Sequence, residues 1–154
     1  MAPTWEERLQ GVDCPLCAPR ATIGVFNIEI AKLTIATLYL GRNQVFRGYC
    51  VLIFDPRHVT GLQHLSAEEN RAFAEDLQHA AQAIDAALHP DLLNYEIIGM
   101  GVLHLHWHIA PRYKTDPRWG HPLWTDPAGM PEIHRVELSE QEYTDLVELI
   151  RSKL

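Results

Sequence analysis

Three histidines fall at every second position of one apolar segment: His104, His106 and His108 in GVLHLHWHIAPRY, with Leu105, Trp107 and Ile109 between them. On an extended chain alternate side chains share a face, so the imidazoles point one way and the apolar residues the other. One face is then core and the other a row of nitrogen donors. With 9 histidines in 154 residues, chance sets three at fixed alternate positions only ~0.03 times per chain. The plain alternative is the polar face of a half-buried strand. The chemical reading is a metal site, since His at i and i+2 of a strand can share one ion. At ~3.4 Å per residue the Cα atoms of His104 and His108 lie ~13 to 14 Å apart, at or beyond what two imidazoles span around one ion. At least one of the three therefore serves a purpose other than that ion.

A second constellation lies near the start. Cys14 and Cys17, in CPLC, have the CxxC spacing of structural zinc sites, a spacing shared with redox pairs. A thioredoxin-like pair belongs between a strand and a helix of a βαβ unit, which this N-terminal stretch does not show. His58, in FDPRHV, could supply a nitrogen, and one triad histidine would complete a Cys2His2 set.

Those side chains need a scaffold, and the remaining sequence describes one. FNIEIAKLTIATLYL alternates with β-branched residues and reads as one strand or two; GYCVLIF reads as a buried strand, reached through the polar loop GRNQ. Ser66 and Glu69 form a capping-box pattern, and Phe73, Leu77, Ile84 and Leu88 recur at helical spacing until Pro90. LLNYEIIG and VLHLHWHIAPRY read as two further strands joined by a Gly-containing turn. PRWGHPLWTDPAGMP is irregular, and Ser139 with Glu142 caps a short terminal helix. The fold class is α+β: an antiparallel sheet, one long helix and a short C-terminal helix. Cys50 is expected as a small core residue, and Trp119 and Trp124 as packing residues or as the lining of a base site or a subunit contact. The remaining histidines, 64, 79, 89, 121 and 134, stand in no motif and are expected on the surface or at caps.

Composition sets the outer bounds. At 154 residues with 47% hydrophobic content the chain fits one domain, and a formal net charge of -7 argues against a partner such as a nucleic-acid polymer or an anionic membrane. MAPTWEERLQ lacks an apolar leader, and three cysteines suit thiols in a reducing compartment, so a cytoplasmic location is expected.

With HLHWHIA on the page, the chain resembles the histidine triad (HIT) superfamily of nucleotidyl hydrolases and transferases. Its signature is His-φ-His-φ-His-φ-φ with φ apolar, and all seven positions match. The similarity extends to CPLC, to DPRHVTGLQHLS and to the strand order, covering residues 14–113 of a single domain spanning 1–154; the Pro- and Trp-rich tail and terminal helix of 114–154 lie beyond it. The resemblance implies a HIT-like fold and a homodimer. It implies a structural zinc held by Cys14, Cys17, His58 and His104. It implies that His106 is the nucleophile toward the α-phosphate of a small nucleotide, such as a dinucleoside polyphosphate or a nucleoside phosphoramidate, and forms a nucleotidyl-histidine. His108 then contacts the phosphate and stabilises charge as a protonated neighbour. The rival readings are a zinc-dependent hydrolase with a metal-activated water, and a nucleotide-binding module with little turnover.

Two departures from the family pattern stand out. The turn before the triad is Gly99, Met100, Gly101, Val102, where members commonly carry a polar side chain. Where the family places a ribose-binding acid or amide, counting back from Gly48 gives Gly41, which leaves Asn43 and Gln44 as the nearest candidates for substrate binding.

Overall fold

The structure, a computed structural model, describes residues 2–17, 24, 26–116, 118–124 and 134–154. Thr4 and Glu7 form a capping box that starts a short helix, α1 (Trp5–Leu9). β1 (Asn27–Lys32) and β2 (Ala36–Gly41) form a hairpin, so FNIEIAKLTIATLYL is two strands, with an irregularity in register between Glu29 and Ala31. β3 (Cys50–Phe54), the long helix α2 (Ala67–Leu88), β4 (Leu92–Glu96), β5 (His106–Arg112) and α3 (Glu140–Arg151) follow. Ser66 and Glu69 close the expected capping box of α2, and Ser139 and Glu142 that of α3. His89, left-handed at φ 48°, ends α2 one residue before Pro90.

All strand pairs are antiparallel, in the order β1-β2-β3-β5-β4. This is the expected α+β architecture. Strand alternation divides β3 cleanly: Cys50, Leu52 and Phe54 pack with Leu105, Ile109 and the buried faces of α2 and α3, whereas Val51 and Ile53 join Tyr39, Phe46 and Tyr49 on the opposite face. Cys50 is fully buried among apolar neighbours, as expected. Leu105 and Ile109 are core residues, while Trp107 is half-buried and packs on the edge of that cluster. No helix among the described residues is long and apolar enough to cross a membrane. Residue 117 and residues 125–133 of the Pro- and Trp-rich stretch lie outside the described residues.

One buried carboxylate ties the helix to the sheet. Asp76 of α2, inaccessible to solvent, accepts the backbone N–H groups of Thr34, Ile35 and Ala36 at 3.0, 2.8 and 2.9 Å. The turn between β1 and β2 thereby gains partners for donors that would otherwise be orphaned. Asp76→Ala is expected to cost about 3 kcal/mol or more, because it leaves buried donors unsatisfied. Chemical denaturation of the variant measures it, and an unchanged midpoint would contradict the assignment.

Candidate functional site

The triad does not lie wholly within a strand. β5 begins at His106, and His104 sits in the irregular approach to it, where Leu105 donates its N–H to Val59 O at 2.7 Å and Phe54 donates to Leu105 O at 3.2 Å. The chain thus reaches the sheet by pairing with the end of β3, then settles into the register Val51 opposite His108 and Ile53 opposite His106. That register directs the side chains of His106 and His108 to the face shared with Val51 and Ile53.

His104 turns toward the N-terminal segment. Its Nε2–H donates to Phe54 O at 2.6 Å, which leaves Nδ1 unprotonated in the neutral ring and facing sulfur: Cys17 Sγ at 3.2 Å and Cys14 Sγ at 3.8 Å. His58 approaches from the segment after β3, with Nδ1 3.4 Å from Cys17 Sγ. The ligand atoms of Cys14, Cys17, His58 and His104 all lie within 4.8 Å of one another. Tetrahedral zinc with bonds of ~2.3 Å to sulfur and ~2.0 Å to nitrogen has donor–donor edges of about 3.3 to 3.8 Å, so the donors present fit such an ion. His58 Nε2 is buried with no hydrogen-bond partner, a cost that a ring held in place by ligation would offset. Local geometry builds the cluster. Cys17 donates its N–H to Cys14 O in a tight turn, and Gly11, at φ +86°, lies so close to the His58 ring that a Cβ would come within 2.9 Å of Cγ.

His106 and His108 face each other instead. His106 Nδ1–H donates to His104 O at 2.6 Å, and its Nε2 lies 3.2 Å from His108 Nε2. A carbonyl only accepts, so in the neutral ring His106 carries its proton on Nδ1 and presents a lone pair at Nε2. His106 is almost buried at 7% exposure, and burial lowers its pKa, partly countered by the His104 carbonyl. His108 is pushed down to about 4, by burial first and then by His106. The protonated neighbour that the resemblance implied is therefore disfavoured in the free protein, because burial penalises the charged ring.

The two amides expected to bind substrate are engaged in the loop between β2 and β3. Gln44 is buried and fully engaged within its own loop: Nε2 donates to Gly41 O and Tyr49 O at 2.5 and 3.2 Å, and Oε1 accepts from Gly48 N at 2.7 Å. Asn43 Oδ1 accepts from Val45 N and Val136 N at 3.3 and 3.1 Å, stitching the loop to the segment before α3. Gln44 and the Asn43 amide oxygen thus hold the loop together. Two aromatics that sequence reasoning did not assign to the triad do reach it. Tyr49 places its hydroxyl 2.6 Å from His108 Nδ1, and Trp124, 45% exposed, meets the His108 ring edge-on at a centroid distance of 5.6 Å. Tyr49 was legible only as the residue one step before Cys50, on the face of Val51 and Ile53; Trp124 was expected to pack or to line a base site or a subunit contact, and nothing local tied it to His108.

Residues 40–115 match the family model described as the HIT domain. No curated protein matches the chain in sequence. Among solved structures, a histidine triad protein from Sinorhizobium meliloti has a TM-score of 0.76 at 18% identity, covering 89% of this chain and 96% of that one. A hypothetical histidine triad nucleotide-binding protein from Sulfolobus tokodaii has a TM-score of 0.67 at 19% identity, covering 91% of each chain. A Zn-bound histidine triad family protein from Mycobacterium smegmatis has a TM-score of 0.62 at 22% identity, covering 92% of this chain and 93% of that one. At these identities the likeness establishes the fold: this chain has the HIT fold.

The lowered pKa of His108 has a consequence for stability. An imidazole at about 4 in the folded chain, against an ordinary 6.5, takes up its proton later on acidification than it does in the unfolded chain. Unfolding therefore binds a proton in that window, and the contribution, complete above pH 6.5, is lost as pH falls toward 4. His108→Gln should lose less thermal stability than the parent between pH 7 and pH 5, measured by melting at both pH values. Parallel losses in the two proteins would count against a neutral, half-buried His108.

Proposed function

We propose that the protein is a HIT-type nucleotide hydrolase or nucleotidyltransferase of 1–154 as one domain, acting at the α-phosphate of small nucleotides through a covalent nucleotidyl-His106. The observation that carries this reading is the state of His106: Nδ1–H fixed on the His104 carbonyl, and an unprotonated Nε2 directed away from the backbone. In the first half-reaction the Nε2 lone pair forms a bond to phosphorus. The bond from phosphorus to the leaving group breaks, and the leaving group takes that electron pair and a proton from solvent. In the second, a water oxygen bonds to phosphorus and gives a proton to solvent, the N–P bond breaks with its electron pair returning to His106 Nε2, and the nucleoside monophosphate departs. As the His106 lone pair engages phosphorus, His108 donates its Nε2–H to a phosphate oxygen instead of to His106.

The Cys14, Cys17, His58 and His104 set would hold a structural zinc, since four protein donors leave no open position for substrate. When bound, the ion would tie the N-terminal segment to the approach of β5. His104 would then present its carbonyl to His106 from a fixed backbone. The protein is expected to contain one zinc per chain, and Cys14→Ser to lose it, measured by metal analysis of freshly purified protein. Zinc-free protein, or unchanged metal in the variant, would refute the assignment.

A homodimer is supported by the open edge of the sheet. β4 is a terminal strand, and its exposed Leu92 and Tyr95 line, with Leu77, Ala81 and Asp85 of α2, a concave surface that a second copy would cover. Small nucleotides, rather than a polymer or a membrane, suit the acidic chain. Cysteines that form no disulfide, at positions 14, 17 and 50, suit a cytoplasmic location.

The exposed Met100 in the turn before the triad keeps one rival alive, a nucleotide-binding module with little turnover. An α-phosphate-labelled nucleotide separates the readings. Wild type and His108→Ala should carry acid-labile label on His106, and His106→Gly none. Full turnover by His106→Gly would end the covalent proposal, and tight binding without label in any form would favour the binding module.

A further inference from the structure

A neutral imidazole can carry its proton on either nitrogen, and only one arrangement makes His108 useful to a phosphate. In the free protein the neutral triad forms one directed chain. His106 Nδ1–H donates to His104 O, so His106 Nε2 accepts, so His108 Nε2 carries the proton, so His108 Nδ1 accepts. The group facing that Nδ1 at 2.6 Å is the Tyr49 hydroxyl, and Tyr49, 8% exposed, resists ionisation because burial raises its pKa. The hydroxyl therefore donates. The two rings lie nearly parallel, 16° apart with centroids at 6.0 Å, and the Tyr49 backbone is itself pinned: its carbonyl accepts from Gly41 N at 3.0 Å and from the Gln44 amide.

The sequence at position 41 belongs to the same arrangement. An added Cβ on Gly41 would lie 2.5 Å from Tyr49 Cδ1 and 2.7 Å from Cε1, although the Gly41 backbone is not in the left-handed region and would accept any residue. Glycine is needed there for space: the Tyr49 ring occupies the volume that a side chain at 41 would fill. The absence of an acid or amide at this position thus has a steric cause.

We infer that Tyr49 is a positioning residue for the triad: admitted by Gly41, its hydroxyl holds His108 in the tautomer whose Nε2 carries the proton. The catalytic consequence rests on the reading of His106 as nucleophile. Once the His106 lone pair bonds to phosphorus, His106 no longer accepts from His108. From that moment the Tyr49 hydroxyl holds the His108 tautomer, so that an N–H rather than a lone pair meets the phosphate oxygen as charge develops. Without the hydroxyl the proton is free to sit on Nδ1, and His108 then presents a lone pair to an anion.

The test separates tautomer from turnover. Histidine-labelled long-range 1H–15N spectra of His106→Gly remove the competing acceptor and leave Tyr49 alone to select the tautomer of His108. His108 should show the Nε2–H pattern in His106→Gly and a mixed or Nδ1–H pattern in His106→Gly/Tyr49→Phe. With adenosine 5′-phosphoramidate as the probe, Tyr49→Phe in the otherwise native chain should lower kcat about tenfold, the scale of one hydrogen bond, with KM nearly unchanged. Gly41→Ala, which displaces the ring, should do the same. Phe keeps the ring's shape, so an unchanged melting temperature in Tyr49→Phe confirms that the fold is intact. An unaltered His108 pattern in the double variant overturns the inference, as does native kcat in Tyr49→Phe. Should the native chain turn over no phosphoramidate, the nucleotidyl-histidine reading fails, and the spectra still decide the role of Tyr49.

Discussion

His104 is bonded in three directions, and the site is organised around it. Its Nε2–H is fixed to the carbonyl of Phe54, its Nδ1 faces the thiols of Cys14 and Cys17, and its own carbonyl takes the Nδ1–H of His106. Each bond constrains a different degree of freedom: the ring's tautomer, the docking of the N-terminal segment, and the orientation of the next histidine. Because one of the three runs through the main chain, the cysteine-histidine cluster and the His106–His108 pair are mechanically continuous while their side chains stay separate. A displacement at the cluster would reach His106 as a rotated carbonyl.

The sheet register supplies the rest of the geometry. β5 is flanked by β3 and β4, and only its N-terminal end, where regular pairing gives way to the Leu105–Val59 bond, allows one histidine to leave the common face. Had the strand begun at Val102, His104 would project beside His106 and reach neither Phe54 O nor the thiols. The irregular approach thus converts a uniform row of three imidazoles into a ligand and a facing pair. The carboxylate of Asp76 serves the opposite face in a comparable way, holding the β1–β2 turn against α2 and so fixing β2 beside β3.

The electrostatics follow from burial. Desolvation lowers the pKa values of all three histidines and raises those of Tyr49 and Cys50. Every one of these groups is pressed toward its neutral form, which is the condition for a chain of directed hydrogen bonds and for a nucleophilic imidazole at neutral pH.

The sequence by itself determined what is encoded locally. Capping boxes at Ser66 and Ser139, the helical period of Phe73 to Leu88, the alternation around His106 and the CxxC turn all involve residues within a few positions of one another, and each appears in the structure. The four cluster residues were named from their chemistry, and the fold brings their ligand atoms together. What the tertiary structure alone decided were the long-range pairings and their consequences: Tyr49 with His108 across 59 positions, Asp76 with residues 34 to 36, and the inward turn of Gln44, which its place near the family's ribose-binding position had suggested for a ligand. The protonation of His108 belongs here too, because desolvation sums over every element packed around a group and has no counterpart in a linear pattern. Spacing along a strand states which face a side chain shares, but the partner on that face is set by register between segments far apart in the chain.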